Sequence, residues 1–156
     1  MVEIRRRLWQ MRVRMIRPVI IHGIGPITLG GIIYIMSRSE NLRMFHWAQI
    51  IGLKPFIEAI REYAIPFSEQ LPSWVIFNLP DALWVYGLTA LMILIWAKKA
   101  GWIRWFFLLI GPTLGIGGEL CQAFSWVPGT FDRIDLLLVS AASVVPFINL
   151  YTRRDD

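Results

Sequence analysis

The stretch "GELCQAFSWVPGTFDRIDLLL", residues 118–138, places a cluster of charged side chains between two apolar runs. The cluster consists of Glu119, Asp132, Arg133 and Asp135. Charged side chains are costly inside a bilayer, and where they occur they usually face the interior of the protein or pair with one another. The stretch therefore indicates the ends of two membrane-spanning helices that are joined by a polar turn.

The composition of the whole chain is that of an integral membrane protein. Of its 156 residues 56% are hydrophobic and eight are Trp, and the mean hydropathy is +0.53. Several runs approach the roughly 20 apolar residues that cross a bilayer core. We therefore expect an all-α integral membrane helical bundle that forms one domain over residues 1–156.

Four runs are long and apolar enough to cross the membrane. The predicted transmembrane helices are residues 18–36, 79–97, 102–124 and 134–151. Basic residues flank them in the arm of residues 1–17, in the loop with Lys98, Lys99 and Arg104, and in the tail with Arg153 and Arg154. With four crossings these flanks share one side, which the positive-inside rule makes cytoplasmic. Both termini are then expected in the cytoplasm.

The net charge of +5 does not indicate a nucleic-acid partner. Six arginines precede the first span, a position that suits contact with anionic lipid. A single cysteine, Cys121, excludes an intramolecular disulfide, and His22 and His46 lie too far apart in sequence for a zinc motif. The sequence predicts no metal site and does not identify a cofactor.

Residues 42–66 are apolar enough to suggest a fifth span, but two features argue against one. Lys54 and Glu58 would then lie in hydrocarbon, and Gly52 and Pro55 would interrupt the helix. The segment instead fits one or two amphipathic helices on the outer membrane surface. The residues expected to face lipid are Phe45, Trp47, Ile50, Ile51, Phe56, Ile57 and Ile60.

Small residues and prolines within the spans predict how the helices pack. Glycines let helix backbones approach closely in membranes, and prolines inside spans cause local bends. The glycines are Gly23, Gly25, Gly30 and Gly31 in the first span and Gly111, Gly115 and Gly118 in the third, and the prolines are Pro26, Pro112 and Pro146.

The predicted topology brings polar residues from three spans to one depth. Glu119 lies about 25 Å along the third span from Trp102, and Gln122 shares its face. Asp132 and Asp135 open the fourth span at the same end, and Asp81 opens the second. We therefore expect these residues, with Arg133, near the outer edge of the hydrocarbon.

The aspartates also fit a purely structural role. Asp132 and Asp135 resemble a capping box, and Asp81 lies in a first turn, where the helix dipole favours negative charge. Glu119 does not fit this role because it lies near the carboxyl end of its helix. It would either pair with Arg133, bind a cationic ligand, or reach interfacial water.

The polar stretch resembles the signature of the VanZ-like family of small bacterial membrane proteins. The matching residues are Glu119, Gln122, Phe124, Pro128, Gly129 and Asp135, with Asp81 further upstream. The match covers residues 81–144, and Trp84 stands in the region of the family's usual His. The resemblance implies a multi-span protein of the bacterial cytoplasmic (inner) membrane with an outward polar site, linked to lipids or the envelope.

Three functions remain open from the sequence. The first is a cavity that binds a small polar or lipid-headgroup ligand through Glu119, Asp135 and Asp81, with Arg133 as the donor to a phosphate or carboxylate. The second is an enzyme acting on a lipid-linked substrate with a pair of carboxylates. The third is an accessory subunit that docks onto a membrane-protein partner through its small-residue faces.

Overall fold

The computed structural model describes residues 16–39, 43–68 and 70–151, and the secondary structure in these ranges is helical. In chain order the helices are α1 (Ile16–Ser37), α2 (Arg43–Ile50), α3 (Lys54–Ser68), α4 (Ser73–Phe77), α5 (Leu79–Trp96), α6 (Trp102–Ala123) and α7 (Arg133–Tyr151). Four of them, α1, α5, α6 and α7, are long and apolar enough to cross a membrane. The predicted helical membrane bundle is confirmed, with span boundaries within about two residues of those predicted. Most of the basic arm, and the arginine pair of the tail, lie outside the described residues.

Helix α5 lies at the centre of the bundle and packs against each of the other three spans. Ala90 and Ile93 of α5 are fully buried, as are Leu108 of α6 and, to 1% exposure, Val139 of α7. The outward faces of the spans instead expose large apolar side chains. That pattern suits lipid, because helices in a bilayer satisfy their backbone polar groups internally and can present apolar side chains to the hydrocarbon.

Glycines set the spacing between the spans, as the sequence predicts. A Cβ atom on Gly87 of α5 would lie 2.8 Å from the carbonyl oxygen of Gly23 on α1. On α6, a Cβ atom on Gly115 would lie 2.6 Å from methyl groups of both Val85 and Val139. Only hydrogen fits at these positions without displacing a neighbour, so the glycines allow α1, α6 and α7 to approach α5 closely.

Two other glycines do not take part in this packing. A Cβ atom on Gly31 or Gly118 would meet nothing within 4 Å outside its own helix turn. The prediction that the small residues pack helices together is therefore wrong for these two. For Gly118 the open space belongs to a groove between α5 and α6.

Two of the three span prolines adjoin a widened helical turn. Residues Val19–Ile24, just before Pro26, form a π-helix in which the Gly25 amide donates to the Ile20 carbonyl. A second π-helix, Phe147–Tyr151, follows Pro146 directly. Such turns are a recognised cause of helix kinks. Around Pro112 the helix remains α throughout.

The described residues of the segment after α1 form the two short helices α2 and α3, neither of which is a candidate span. Residue 42 lies outside the described ranges. The turn between them is at Gly52, whose φ of +77° favours glycine. Helix α3 packs against α1, and the Arg61 guanidinium donates to the carbonyl oxygens of Ile35 and Arg38, both at 2.8 Å. These carbonyls at the end of α1 lack helical partners, so Arg61 fixes α3 beside that end.

The side chains of α2 and α3 correct one part of the prediction. Trp47, Ile50, Ile51 and Phe56 are exposed, as expected for residues that face lipid. Ile57 is only 7% exposed. It lies inside the protein because α3 packs on α1 rather than lying free on the surface.

We predict that Gly87→Ala lowers the stability of the bundle by about 1–3 kcal/mol, the usual cost of overpacking. Its methyl group would force α1 and α5 apart. Gly31→Ala is the matched control, because its methyl group enters open space and alanine favours the helix by up to about 1 kcal/mol. Thermal unfolding in detergent, followed by circular dichroism, compares the two. Equal midpoints would contradict the proposed close approach.

Candidate functional site

A cavity of about 580 Å³ lies at one end of the bundle. It forms where α1 and α6 end and where α5 and α7 begin, so each of the four spans supplies a terminus or a residue beside it. Its charged and amide-bearing residues are Arg38, Asn78, Asp81, Glu119, Gln122, Asp132 and Asp135. Five of the six residues predicted from the sequence are thus brought together.

Arg133 is the exception. Its side chain is exposed and does not line the cavity, and Glu119 and Arg133 do not form an ion pair within the described structure. The predicted pair is wrong because of helical geometry. Asp132 and Asp135, three residues apart, share one side of the first turn of α7 and line the cavity, whereas the Arg133 side chain is exposed outside it.

The cavity's cation is instead Arg38, which sequence reasoning missed. It follows α1 directly, and its guanidinium acts electrostatically on Asp81 and Asp135. Its carbon Cζ lies 5.3 Å from the ring centre of Tyr34 and 5.4 Å from that of Phe77. The depth argument that grouped the carboxylates would also have found it, since the first span ends at the same membrane level.

The surroundings of Arg38 satisfy only part of the hydrogen-bonding capacity of its guanidinium. Nη2 donates to the Phe77 carbonyl oxygen at 3.3 Å. Nε is buried and has no hydrogen-bond partner. The aromatic contacts hold the cation by cation–π attraction and leave one buried donor unsatisfied.

Asp132 caps helix α7, as predicted, and its carboxylate also accepts a second hydrogen bond from another helix start. One carboxylate oxygen accepts from the Ile134 backbone amide at 2.9 Å, which is the N-cap interaction of α7. The other accepts from the side-chain amide of Asn78 at 3.0 Å. Asn78 is only 4% exposed and precedes α5, so this bond ties the starts of α5 and α7 together.

Asp81 lies in the first turn of α5, as predicted, with Asn78 as the N-cap residue. The positive end of the helix dipole favours its negative charge at that position. Its carboxylate lines the cavity along with Asp135, which occupies the equivalent first turn of α7. Each aspartate therefore both stabilises a helix start and adds negative charge to the cavity.

Glu119 is the most buried carboxylate of the site, at 6% exposure. The backbone amide of Asp132 interacts with its carboxylate, but its oxygen Oε2 is buried and has no hydrogen-bond partner. Asp135 Oδ1 is in the same condition. Leaving a buried acceptor unpaired costs about 1–3 kcal/mol, and more when the group is charged. Within the described structure a pair with Arg133 does not account for Glu119.

Within the described ranges, no three His, Cys, Asp or Glu side chains are grouped so that they could hold a metal ion. The two histidines stand apart from the cavity. Nδ1 of His22 lies 2.7 Å from the Tyr86 hydroxyl, and His46 is exposed on α2.

Comparison of this chain with protein-family models, curated proteins and solved structures finds no match.

We predict that Asp132→Ala destabilises the bundle by about 1–3 kcal/mol. It removes a helix cap, worth about 0.5–2 kcal/mol, and leaves the buried Asn78 amide unpaired. Arg133→Ala, one residue away and exposed, should stay within about 0.5 kcal/mol of the wild type. Equilibrium unfolding in mixed micelles measures both. A larger loss for the Arg133 variant would show that the predicted ion pair exists after all.

Proposed function

We propose that this chain is a VanZ-like protein of the bacterial cytoplasmic membrane whose outward-facing cavity binds a zwitterionic ligand. The ligand carries an ammonium group and a phosphate or carboxylate group, either as a small polar molecule or as a lipid headgroup. The single observation that carries the proposal is the Glu119 carboxylate, which lines this cavity at only 6% exposure and whose buried Oε2 atom has no hydrogen-bond partner among the residues that the structure describes.

The unsatisfied groups of the cavity specify the chemistry of the ligand. Glu119 Oε2 and Asp135 Oδ1 are acceptors that need donors, and Arg38 Nε is a donor that needs an acceptor. A primary ammonium group supplies three donors, and a phosphate supplies several acceptors. Hydrogen bonds between ionised groups are about twice as strong as neutral ones, so a ligand that carries both groups matches the two kinds of charged side chain that line the cavity.

The balance of charge supports the same ligand. Among the residues that the structure describes, four carboxylates and one guanidinium line the cavity, so acidic groups outnumber basic ones there. A cationic group among Asp81, Glu119, Asp132 and Asp135 would relieve their mutual repulsion, which is strong where water is scarce. The anionic group of the ligand would then lie against Arg38, which takes the role that the sequence assigned to Arg133.

The outward orientation and the bacterial membrane rest on sequence arguments. Lys98 and Lys99 follow α5 at the end of the bundle opposite the cavity, and the positive-inside rule assigns that end to the cytoplasm. The VanZ resemblance rests on Asp81, Glu119, Gln122 and Asp135 among others, and these four also line the cavity. That coincidence supports the family proposal.

We predict that Glu119→Gln weakens the binding of O-phosphoethanolamine, a soluble zwitterion, to the purified protein. The change keeps the side-chain shape but removes the charge, and a hydrogen bond to a charged group is worth about 1.5–3 kcal/mol. Binding should therefore weaken by roughly ten- to a hundredfold, as measured by isothermal titration calorimetry in phosphatidylcholine nanodiscs. The thermal midpoint should stay near that of the wild type.

Glu58→Gln is the matched control for this experiment. Glu58 is an exposed glutamate outside the cavity, 3.7 Å from Lys54, so its neutralisation should leave the affinity unchanged. Ethanolamine and inorganic phosphate, titrated separately, should each bind more weakly than the zwitterion. If O-phosphoethanolamine does not bind the wild type, or if both variants bind it equally well, the proposed function is wrong.

A further inference from the structure

A second cavity continues from the first into the membrane-spanning part of the bundle. It is a groove of about 350 Å³ between α5 and α6. Asp81, Glu119 and Gln122 line both the groove and the polar cavity, so the two share a boundary. Away from this boundary the lining is apolar and includes Leu88 and Leu114. The combined space has one polar end and one apolar end.

The groove follows α6 from Gln122 back to Gly111, a length of about 16 Å along a helix. Gly118 keeps it open, because a Cβ atom there would meet nothing within 4 Å. At its edge Leu114 is 64% exposed on the outer side of the bundle. In a bilayer that side faces hydrocarbon, where chains rather than water fill an apolar groove.

We propose that the ligand of the polar cavity is a membrane lipid, whose amine-bearing zwitterionic headgroup occupies that cavity and whose acyl chain lies in the groove. This inference rests on the proposed function. It adds a source for the ligand, the bilayer itself, and a route by which the ligand reaches the site, sideways between α5 and α6 and not from the aqueous phase.

The position of the site supports a lipid over a water-soluble molecule. The polar cavity lies at the ends of the spans, which is the depth of lipid headgroups, and the groove descends from it to the depth of their chains. The unpaired carboxylate oxygens of Glu119 and Asp135 are acceptors for N–H or O–H donors, and their charge favours a cationic donor. A primary ammonium headgroup such as phosphoethanolamine has these donors, whereas the quaternary ammonium of phosphatidylcholine has none.

The test compares a chain-bearing ligand with its free headgroup in two matched variants. Gly118→Leu fills the groove, while Gly117→Leu makes the same change one residue earlier, at a glycine that also has open space but lines neither cavity. Calorimetry in detergent measures the affinity for dihexanoyl phosphatidylethanolamine and for O-phosphoethanolamine. Partition of the lipid into micelles is the same for both variants. A difference between their lipid affinities therefore measures the contribution of the groove.

We expect Gly118→Leu to weaken binding of the short-chain phosphatidylethanolamine on the order of tenfold and to leave the free headgroup unaffected. Gly117→Leu should bind both ligands as the wild type does. Gly118→Leu could lower the thermal midpoint below that of Gly117→Leu. In that case Leu88→Phe, which narrows the groove from α5, is used instead of Gly118→Leu. It should also weaken binding of the lipid and leave binding of the free headgroup unaffected.

Two negative results have different meanings. If the groove variants bind the lipid as well as Gly117→Leu does, while the wild type binds the free headgroup, the lipid inference is overturned and the proposed function stands. If the wild type binds neither ligand, the proposed function itself fails and the lipid inference fails with it.

Discussion

A carboxylate buried in a membrane protein needs hydrogen-bond donors for its oxygens, and Oε2 of Glu119 has none within the described part of the protein. The Asp132 backbone amide interacts with the carboxylate, while Oε2 is left buried and unpaired. Hydrocarbon cannot supply the missing donor, and Arg38, the cation that lines the cavity among the described residues, has an unpaired donor of its own. The fold therefore holds buried polar groups at this cavity that its own hydrogen bonds do not satisfy, and such groups require a specific explanation.

The packing of the spans creates this condition. Gly87 and Gly115 let α1, α6 and α7 approach the central helix α5, and the Asn78–Asp132 bond joins the starts of α5 and α7. This packing brings the carboxylates at the helix ends close together, and their mutual repulsion costs free energy. The helix dipoles offset part of that cost, because Asp81 and Asp135 lie in the first turns of α5 and α7. Where a glycine has no neighbour, as at Gly118, the same close packing leaves a groove instead of a contact.

The sequence predicted the features that depend on position along a single helix. It did not predict several side-chain environments that depend on contacts between helices. Span boundaries follow from the length of apolar runs, and the shared depth of Asp81 and Glu119 follows from the boundaries. Arg133 was assigned to the site because it is adjacent in sequence, although the turn of α7 directs its side chain away. Arg38 was missed although its depth follows from the end of the first span. Ile57 was assigned to lipid because its burial depends on how α3 packs on α1, which no run of residues reveals.

The most direct test of this account is thiol cross-linking in native membranes, in a Cys121→Ser background. Asp81→Cys is combined with Glu119→Cys in one protein and with Trp102→Cys, at the opposite end of α6, in another. A short bifunctional maleimide should join the first pair and not the second, because Asp81 and Glu119 line the same cavities. Cross-linking of the second pair, or of neither, would show that the acidic side chains do not share one end of the bundle.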